Sequence, residues 1–268
     1  LPLTDLGVSP VAKNCVVRRN VLSAAFKGLR IVLPSGVDKT RSNDCDYLYR
    51  PHSAFAYYTG VQGVEANPDA VLILEPNGDA HDPILFIMPR STRDTPDFFQ
   101  DSKYGELWVG RRYTTEDAAA RYQIETRSVA DLAKFLEDKK PAVTIRGEDP
   151  KIDKLIAENE KDAELLIFTS EQRLIKEQYE IDQLQLAVDA TARGFDDMIR
   201  AIPEAVASEH GERVIEGAFA HRSRVDGNGV GYETISAAGA HACVLHWIRN
   251  DGKVKNGELM LIDAGIEL

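Results

Sequence analysis

The sequence predicts a mixed α/β protein in two parts, and two observations carry the prediction. From Asn20 to about Arg146, short β-rich runs alternate with polar turns and brief helical stretches. From Thr169 onward the texture changes to a long amphipathic helix, a second helix and three strand-like runs. The expected division is therefore 1–170 and 171–268, and 268 residues suffice for one large core or two smaller ones.

In the first part, "LRIVLP" (29–34), "AVLILEP" (70–76) and "PILFIM" (83–88) read as strands. The last two, with Asn77-Gly78 between them, predict a hairpin with a rather long loop. "SVADLAKFLED" (128–138) places Val129, Leu132, Phe135 and Leu136 at helical spacing, and "AVTIRG" (142–147) follows as a strand.

In the second part, Ile181, Leu184, Val188, Phe195, Met198 and Ile202 recur at three, four or seven residues and predict one helix face. Thr169 with Gln172 is a candidate capping box for that helix, and Pro203 is expected to break or end it. A second helix is predicted over 208–224, with Val214, Ala218 and Phe219 on one face. Glycines 227, 229 and 231 then end helical structure, and "GNGVG" reads as a plain turn, because no strand precedes it and no helix follows. The remainder predicts strands at 232–239, 242–248 and 258–264, the last two joined by "RNDGKVKNG".

Composition narrows the function classes. Against 43 Asp and Glu there are 32 Lys and Arg, a formal net charge of −11 with no basic block, which disfavours a nucleic-acid partner. Cys15, Cys45 and Cys243 are odd in number and widely spaced, with no CxxC pair. That pattern fits a reducing cytoplasm without a disulfide framework or zinc knuckle. No apolar run approaches a membrane span and no signal-peptide pattern is visible, so a cytoplasmic protein that avoids membranes is expected.

Two residues sit oddly in this pattern. Asp263 ends the run "LMLI", where both alternating rows of the predicted strand are otherwise apolar and both faces are expected to be covered. An ionised carboxylate there is costly unless a cation or several donors meet it. His246 shares a predicted face with Val244 and Ala242, while His241, five residues earlier, is expected on the other. By spacing alone a turn or cap role for the aspartate and a satisfied core role for the histidine remain the commoner alternatives.

The stretch "YETISAAGAHACVLHW" followed by "NGELMLIDAGIE" resembles the pita-bread metallopeptidases, and within them the Xaa-Pro aminopeptidase (aminopeptidase P) and prolidase group. "RSNDCDYLYRPHSAFAYYTGVQGVEANPDAVLIL" (41–74) and "LWVGRR" (107–112) are similar to the N-terminal domain of bacterial aminopeptidase P. "RLIKEQYEIDQLQLAVDATARGFDDMI" (173–199) is similar to the helix that opens the catalytic domain. The pieces occur in the order that the family has them. The resemblance implies an N-terminal α/β domain followed by the first half of a pita-bread α+β catalytic domain.

It also implies chemistry: release of the N-terminal residue from peptides with proline second, by water activated between two divalent metal ions, commonly Mn2+. Asp263 matches the first metal-binding aspartate, His246 the histidine that helps proton transfer at the scissile amide, and Tyr232 and Leu245 positions lining the substrate pocket. Asp44 and Trp108 match N-terminal-domain positions that approach a neighbouring subunit's site in tetrameric members, so a homo-oligomer, dimer or tetramer, is expected. The family's four later metal ligands have no counterpart in residues 1–268, so that stretch alone is expected to be incomplete, inactive and without a tight metal site. The alternatives are a prolidase restricted to Xaa-Pro dipeptides, or a metal-free pita-bread protein, either a creatinase-like hydrolase or a binding module. The presence of both His246 and the Asp263 motif favours the metal enzymes.

Overall fold

The computed structural model describes residues 7–268, which divide into two compact units, one running to Ile175 and the other Lys176–Leu268. In the first unit the order is α1 (Ala12–Ala25), β1 (Arg30–Pro34), β2 (Thr40–Ser42), β3 (Cys45–Asp46), α2 (Ser53–Thr59), β4 (Val71–Asn77) and β5 (Ala80–Ile87). Then come α3 (Asp97–Gln100), α4 (Glu106–Val109), α5 (Thr115–Tyr122), β6 (Glu125–Ser128), α6 (Leu132–Phe135), β7 (Ala142–Thr144), α7 (Pro150–Leu155) and α8 (Asp162–Gln172).

A mixed five-stranded sheet, β6-β5-β4-β1-β7, organises this unit. β1–β4 and β4–β5 are antiparallel, and β1–β7 and β5–β6 are parallel. β1 is buried along its whole length because alternate residues enter different cores. Ile31 and Leu33 pack with Leu22, Phe26, Phe55 and Tyr58, while Val32 packs with Ile73, Phe86, Leu132 and Ile152. The predicted hairpin forms with a tighter turn than expected: Asn77 pairs with Ala80, leaving only Gly78 and Asp79 between the strands, and Gly78 has φ +61°. The predicted 128–138 helix is instead broken into a 3-10 turn (Val129–Asp131), the short α6 and a second 3-10 turn (Leu136–Asp138). Asp138 is turned toward Arg30, and Lys139 adopts a left-handed conformation immediately after it.

The second unit contains α9 (Gln178–Ala207), α10 (Gly211–Asp226), β8 (Gly229–Val230), β9 (Ile235–Ala238), β10 (Met260–Asp263) and β11 (Ile266–Glu267). Thr169 does not cap α9. It lies buried inside α8, where its hydroxyl donates to the Leu166 carbonyl at 3.1 Å. The capping box is formed by Glu177 and Glu180 instead. Pro203 does not end α9 either, since the helix runs on to Ala207. The proline removes only the donor that would meet the Ile199 carbonyl, and Ile199 lies on an exposed stretch where water can replace it.

The face of α9 that packs is also not quite the predicted one. Ala190, Gly194, Met198 and Ala205 are buried, whereas Ile181, Leu184, Val188 and Ile202 stay exposed to varying degrees. Small residues decide this: a Cβ on Gly194 would stand 2.6 Å from Phe219 Cε2, so only glycine lets α10 approach so closely. Phe219 and Ile215 of α10 join Met198, Ala238, Val254, Ala264 and Ile266 in one core.

Two short ladders complete the unit, β10 with β9 and β11 with β8, both antiparallel. The predicted strand over 242–248 does not form. Gly239–Cys243 is a 3-10 turn, and the chain after it is held by side chains rather than by a ladder. β10 therefore pairs with β9, with Asp263 opposite Ile235, and not with a 242–248 strand.

Candidate functional site

Alternation along β10 places Met260 and Ile262 toward the core and leaves Leu261 and Asp263 exposed. The expectation that both faces of this strand are covered is thus not met among the described residues. Asp263 meets a donor here, because Tyr232 Oη donates to its Oδ1 at 2.6 Å. That carboxylate disfavours the tyrosinate and, with burial second, pushes the Tyr232 pKa up to about 12.

Local backbone explains why the two meet. Gly231 N donates to the Gly265 carbonyl at 2.8 Å, bringing the residue before Tyr232 beside the residue that follows Asp263-Ala264. A Cβ on Gly265 would come within 3.1 Å of the Tyr232 ring, so glycine leaves the ring room to lie across the end of β10. Thr191 of α9 fixes the next residue, its Oγ1 accepting from Ile266 N at 3.1 Å.

Leu245 and His246 lie in the turn after the 3-10 segment, both exposed, Leu245 at 88%. The opposite-face relationship expected of His241 and His246 does not apply, because no strand carries them. His241 instead stacks on Trp247, ring centroids 3.8 Å apart and planes 24° from parallel. Its Nδ1 donates to Glu212 Oε1 at 2.8 Å, which requires the Nδ1-protonated tautomer when the ring is neutral.

Glu212 was not singled out by the sequence. It is completely buried near the start of α10. Oε1 also accepts from Ala238 N at 2.8 Å, and Oε2 accepts from Trp247 Nε1 at 2.8 Å and from Gly252 N at 2.7 Å. Burial pushes this carboxyl up, but the hydrogen bonds from Ala238, Trp247, His241 and Gly252 outweigh it, so its pKa lies below the usual carboxylate value. A signal was available: Glu212, Ile215 and Phe219 fall at i, i+3 and i+7, placing a carboxylate on the apolar face of the helix.

In the first unit, Asp44 occupies the exposed turn between β2 and β3. Trp108 stands on α4, 59% exposed, with Nε1 donating to the Phe99 carbonyl at 2.8 Å. The structure brings Tyr232 and Asp263 together and places Leu245 and His246 side by side on a separate turn. Among the described residues no group of three His, Cys, Asp or Glu side chains could hold a metal ion. Asp263 suits a hard cation as a single carboxylate ligand, but these residues do not by themselves complete a site.

Residues 16–144 match the family described as the aminopeptidase P N-terminal domain, and residues 182–268 match metallopeptidase family M24. The chain belongs to the aminopeptidase P group of M24 metallopeptidases. It is 45% identical over 269 aligned residues to Xaa-Pro aminopeptidase 1 of Streptomyces coelicolor, covering 99% of this chain and 53% of that protein. It is 42% identical to Xaa-Pro aminopeptidase 2 of the same organism, covering 98% of this chain and 55% of the relative. The chain thus spans about half the length of the curated relatives it matches. Its fold is similar to that of aminopeptidase P from E. coli, with a TM-score of 0.76 at 24% identity over 95% of this chain and 59% of the other. The two matches place an aminopeptidase P N-terminal domain before part of an M24 metallopeptidase domain. Among the described residues no helix is long and apolar enough to cross a membrane.

Proposed function

We propose that the full-length protein is a cytoplasmic Xaa-Pro aminopeptidase that removes the first residue of peptides with proline second. The observation that carries this reading is the 45% identity to an Xaa-Pro aminopeptidase along nearly the whole chain. Asp263 would be the first ligand to a pair of divalent ions, manganese in our reading, together with four ligands that residues 1–268 do not supply. Such ions supply Lewis acidity toward the scissile carbonyl and an activated water near neutral pH.

The chain's own residues take the remaining roles. The Tyr232 hydroxyl points its proton at Asp263 Oδ1, which orients the carboxylate and leaves Oδ2 for a cation. The exposed imidazole of His246 is free to approach the substrate and give a proton to the departing proline nitrogen. Leu245 and Tyr232 offer apolar surface to the substrate side chains. Asp44 and Trp108, exposed on the N-terminal unit, would meet the site of a neighbouring subunit in a homo-oligomer.

The deciding experiment is turnover of an Arg-Pro-Pro peptide by the full-length protein with manganese, after chelation and after manganese is restored, beside an Xaa-Pro dipeptide. Cleavage of the tripeptide that vanishes on chelation and returns with the metal supports the reading. Hydrolysis of the dipeptide alone replaces it with a prolidase, and no hydrolysis of either rejects it.

A further inference from the structure

The turn carrying Leu245 and His246 is short of apolar anchors. Val244, Leu245 and Ile248 are all about half exposed or more, and no strand ladder holds the segment. Something else must set where His246 stands. We infer that Glu212 is the positioning residue for His246, acting through Trp247 and His241. This inference rests on the reading of His246 as the group that serves the substrate.

Both flanking rings end on the same buried carboxylate. His241 Nδ1 meets Oε1 and Trp247 Nε1 meets Oε2, each at 2.8 Å, and the two rings stack. The residues between them, His246 included, are pinned at both ends to one rigid group on α10. Glu212 also ties the turn to its surroundings through Ala238 N at one side and Gly252 N at the other. Its own backbone closes the loop, Glu212 N donating to the Gly252 carbonyl at 3.1 Å. A Cβ on Gly252 would lie 2.7 Å from the His241 ring and 2.8 Å from Glu212 Cδ, so the approach needs glycine. Buried Asn250 adds a second tie to the β9 segment, accepting from Ser236 N at 3.0 Å and donating to the Thr234 carbonyl at 2.9 Å.

All four donors address an acceptor-only group. Glu212→Gln keeps the shape but turns an NH2 toward at least one backbone N–H, of Ala238 or of Gly252, which converts that hydrogen bond into a donor–donor clash. Trp247→Phe is gentler, since it keeps an aromatic ring against His241 and deletes one donor. If Glu212 served only to stabilise the core, either change would lower stability without a specific effect on the chemistry of His246.

The test uses the full-length, manganese-loaded protein and four variants: Trp247→Phe, Glu212→Gln, His246→Ala and the Trp247→Phe/His246→Ala double. Trp247→Phe is expected to lower kcat by roughly ten- to a hundredfold with KM and metal content unchanged, because a small misplacement of a reacting group is that costly. Hydrogen exchange in residues 241–250 should quicken in Trp247→Phe and Glu212→Gln, with β10 unchanged in both and β9 unchanged in Trp247→Phe. In the His246→Ala background the Trp247 change should cost nothing further, since it acts through the missing ring. Unaltered exchange in 241–250, or losses that multiply in the double variant, would overturn the inference. A His246→Ala enzyme with wild-type kcat sinks the assignment of His246 instead, and the exchange measurement still decides whether Glu212 positions the turn.

Discussion

Tyr232 donates its hydroxyl proton to Asp263 across the end of the β9–β10 ladder, a 2.6 Å bond between residues 31 apart in sequence. The carboxylate holds the Tyr232 pKa up to about 12. A raised pKa of this kind contributes stability that is complete below the unfolded value near 10 and is lost as pH rises through about 12. Asp263→Asn should therefore shift the titration of one tyrosine in residues 1–268 back toward about 10, read as tyrosinate absorbance with a chelator present. An unchanged titration curve would show that the pair does not persist in solution.

On the proposed function, Asp263→Ala in the full-length protein is expected to abolish metal-dependent turnover and reduce bound metal. His246→Ala should keep its metal and lose about 10²- to 10⁴-fold in kcat, the usual contribution of a positioned proton donor. Metal analysis beside steady-state kinetics separates the two roles. Equal loss of metal in both variants would refute the assignment.

Arg30 is buried at one end of β1 and is gripped from two sides. Its Nε and Nη2 donate to Glu75 at 2.6 and 3.1 Å, and its Nη1 and Nη2 donate to Asp138 at 2.7 and 2.9 Å. Burial pushes the Glu75 carboxyl up, but Arg30 and Lys140 hold it below its ordinary value. The Arg30 hydrogen bond takes Asp138 down to about 2. Depressed carboxyl values contribute stability that is present above the unfolded pKa near 4 and is lost as pH falls toward about 2. Glu75→Ala should cost about 2–3 kcal/mol in urea denaturation at neutral pH, since it strips a buried cation of one partner. The deficit should shrink as the pH falls below the ordinary carboxylate range, where the Glu75 carboxylate takes up its proton.

Pro203 interrupts the hydrogen-bond ladder of α9 without ending the helix. Pro203→Ala restores a donor for the Ile199 carbonyl and should raise stability by about 1–2 kcal/mol, after allowing for the stiffer unfolded chain that proline provides. Thermal unfolding of the two proteins side by side checks it, and a less stable alanine variant would mean that the missing bond is compensated by water or local geometry.

Local pattern alone determined a good deal. The apolar runs at β1, β4 and β5, the helical face around Val214 and Phe219, the glycines that close α10 and the short strand ending in Asp263 are legible because each depends on neighbours two, three or four residues away. Asp263 also stands out as a carboxylate closing an apolar run. What the sequence could not specify was decided by approach between distant segments. Gly194 selected which face of α9 meets Phe219. The extended-looking run 242–248 became a turn because its Trp247 and the preceding His241 found the buried Glu212 carboxylate. That carboxylate lies 29 residues before His241 and 35 before Trp247, so only the packed structure brings donors and acceptor together, and their satisfaction outweighs the weak strand preference of the run.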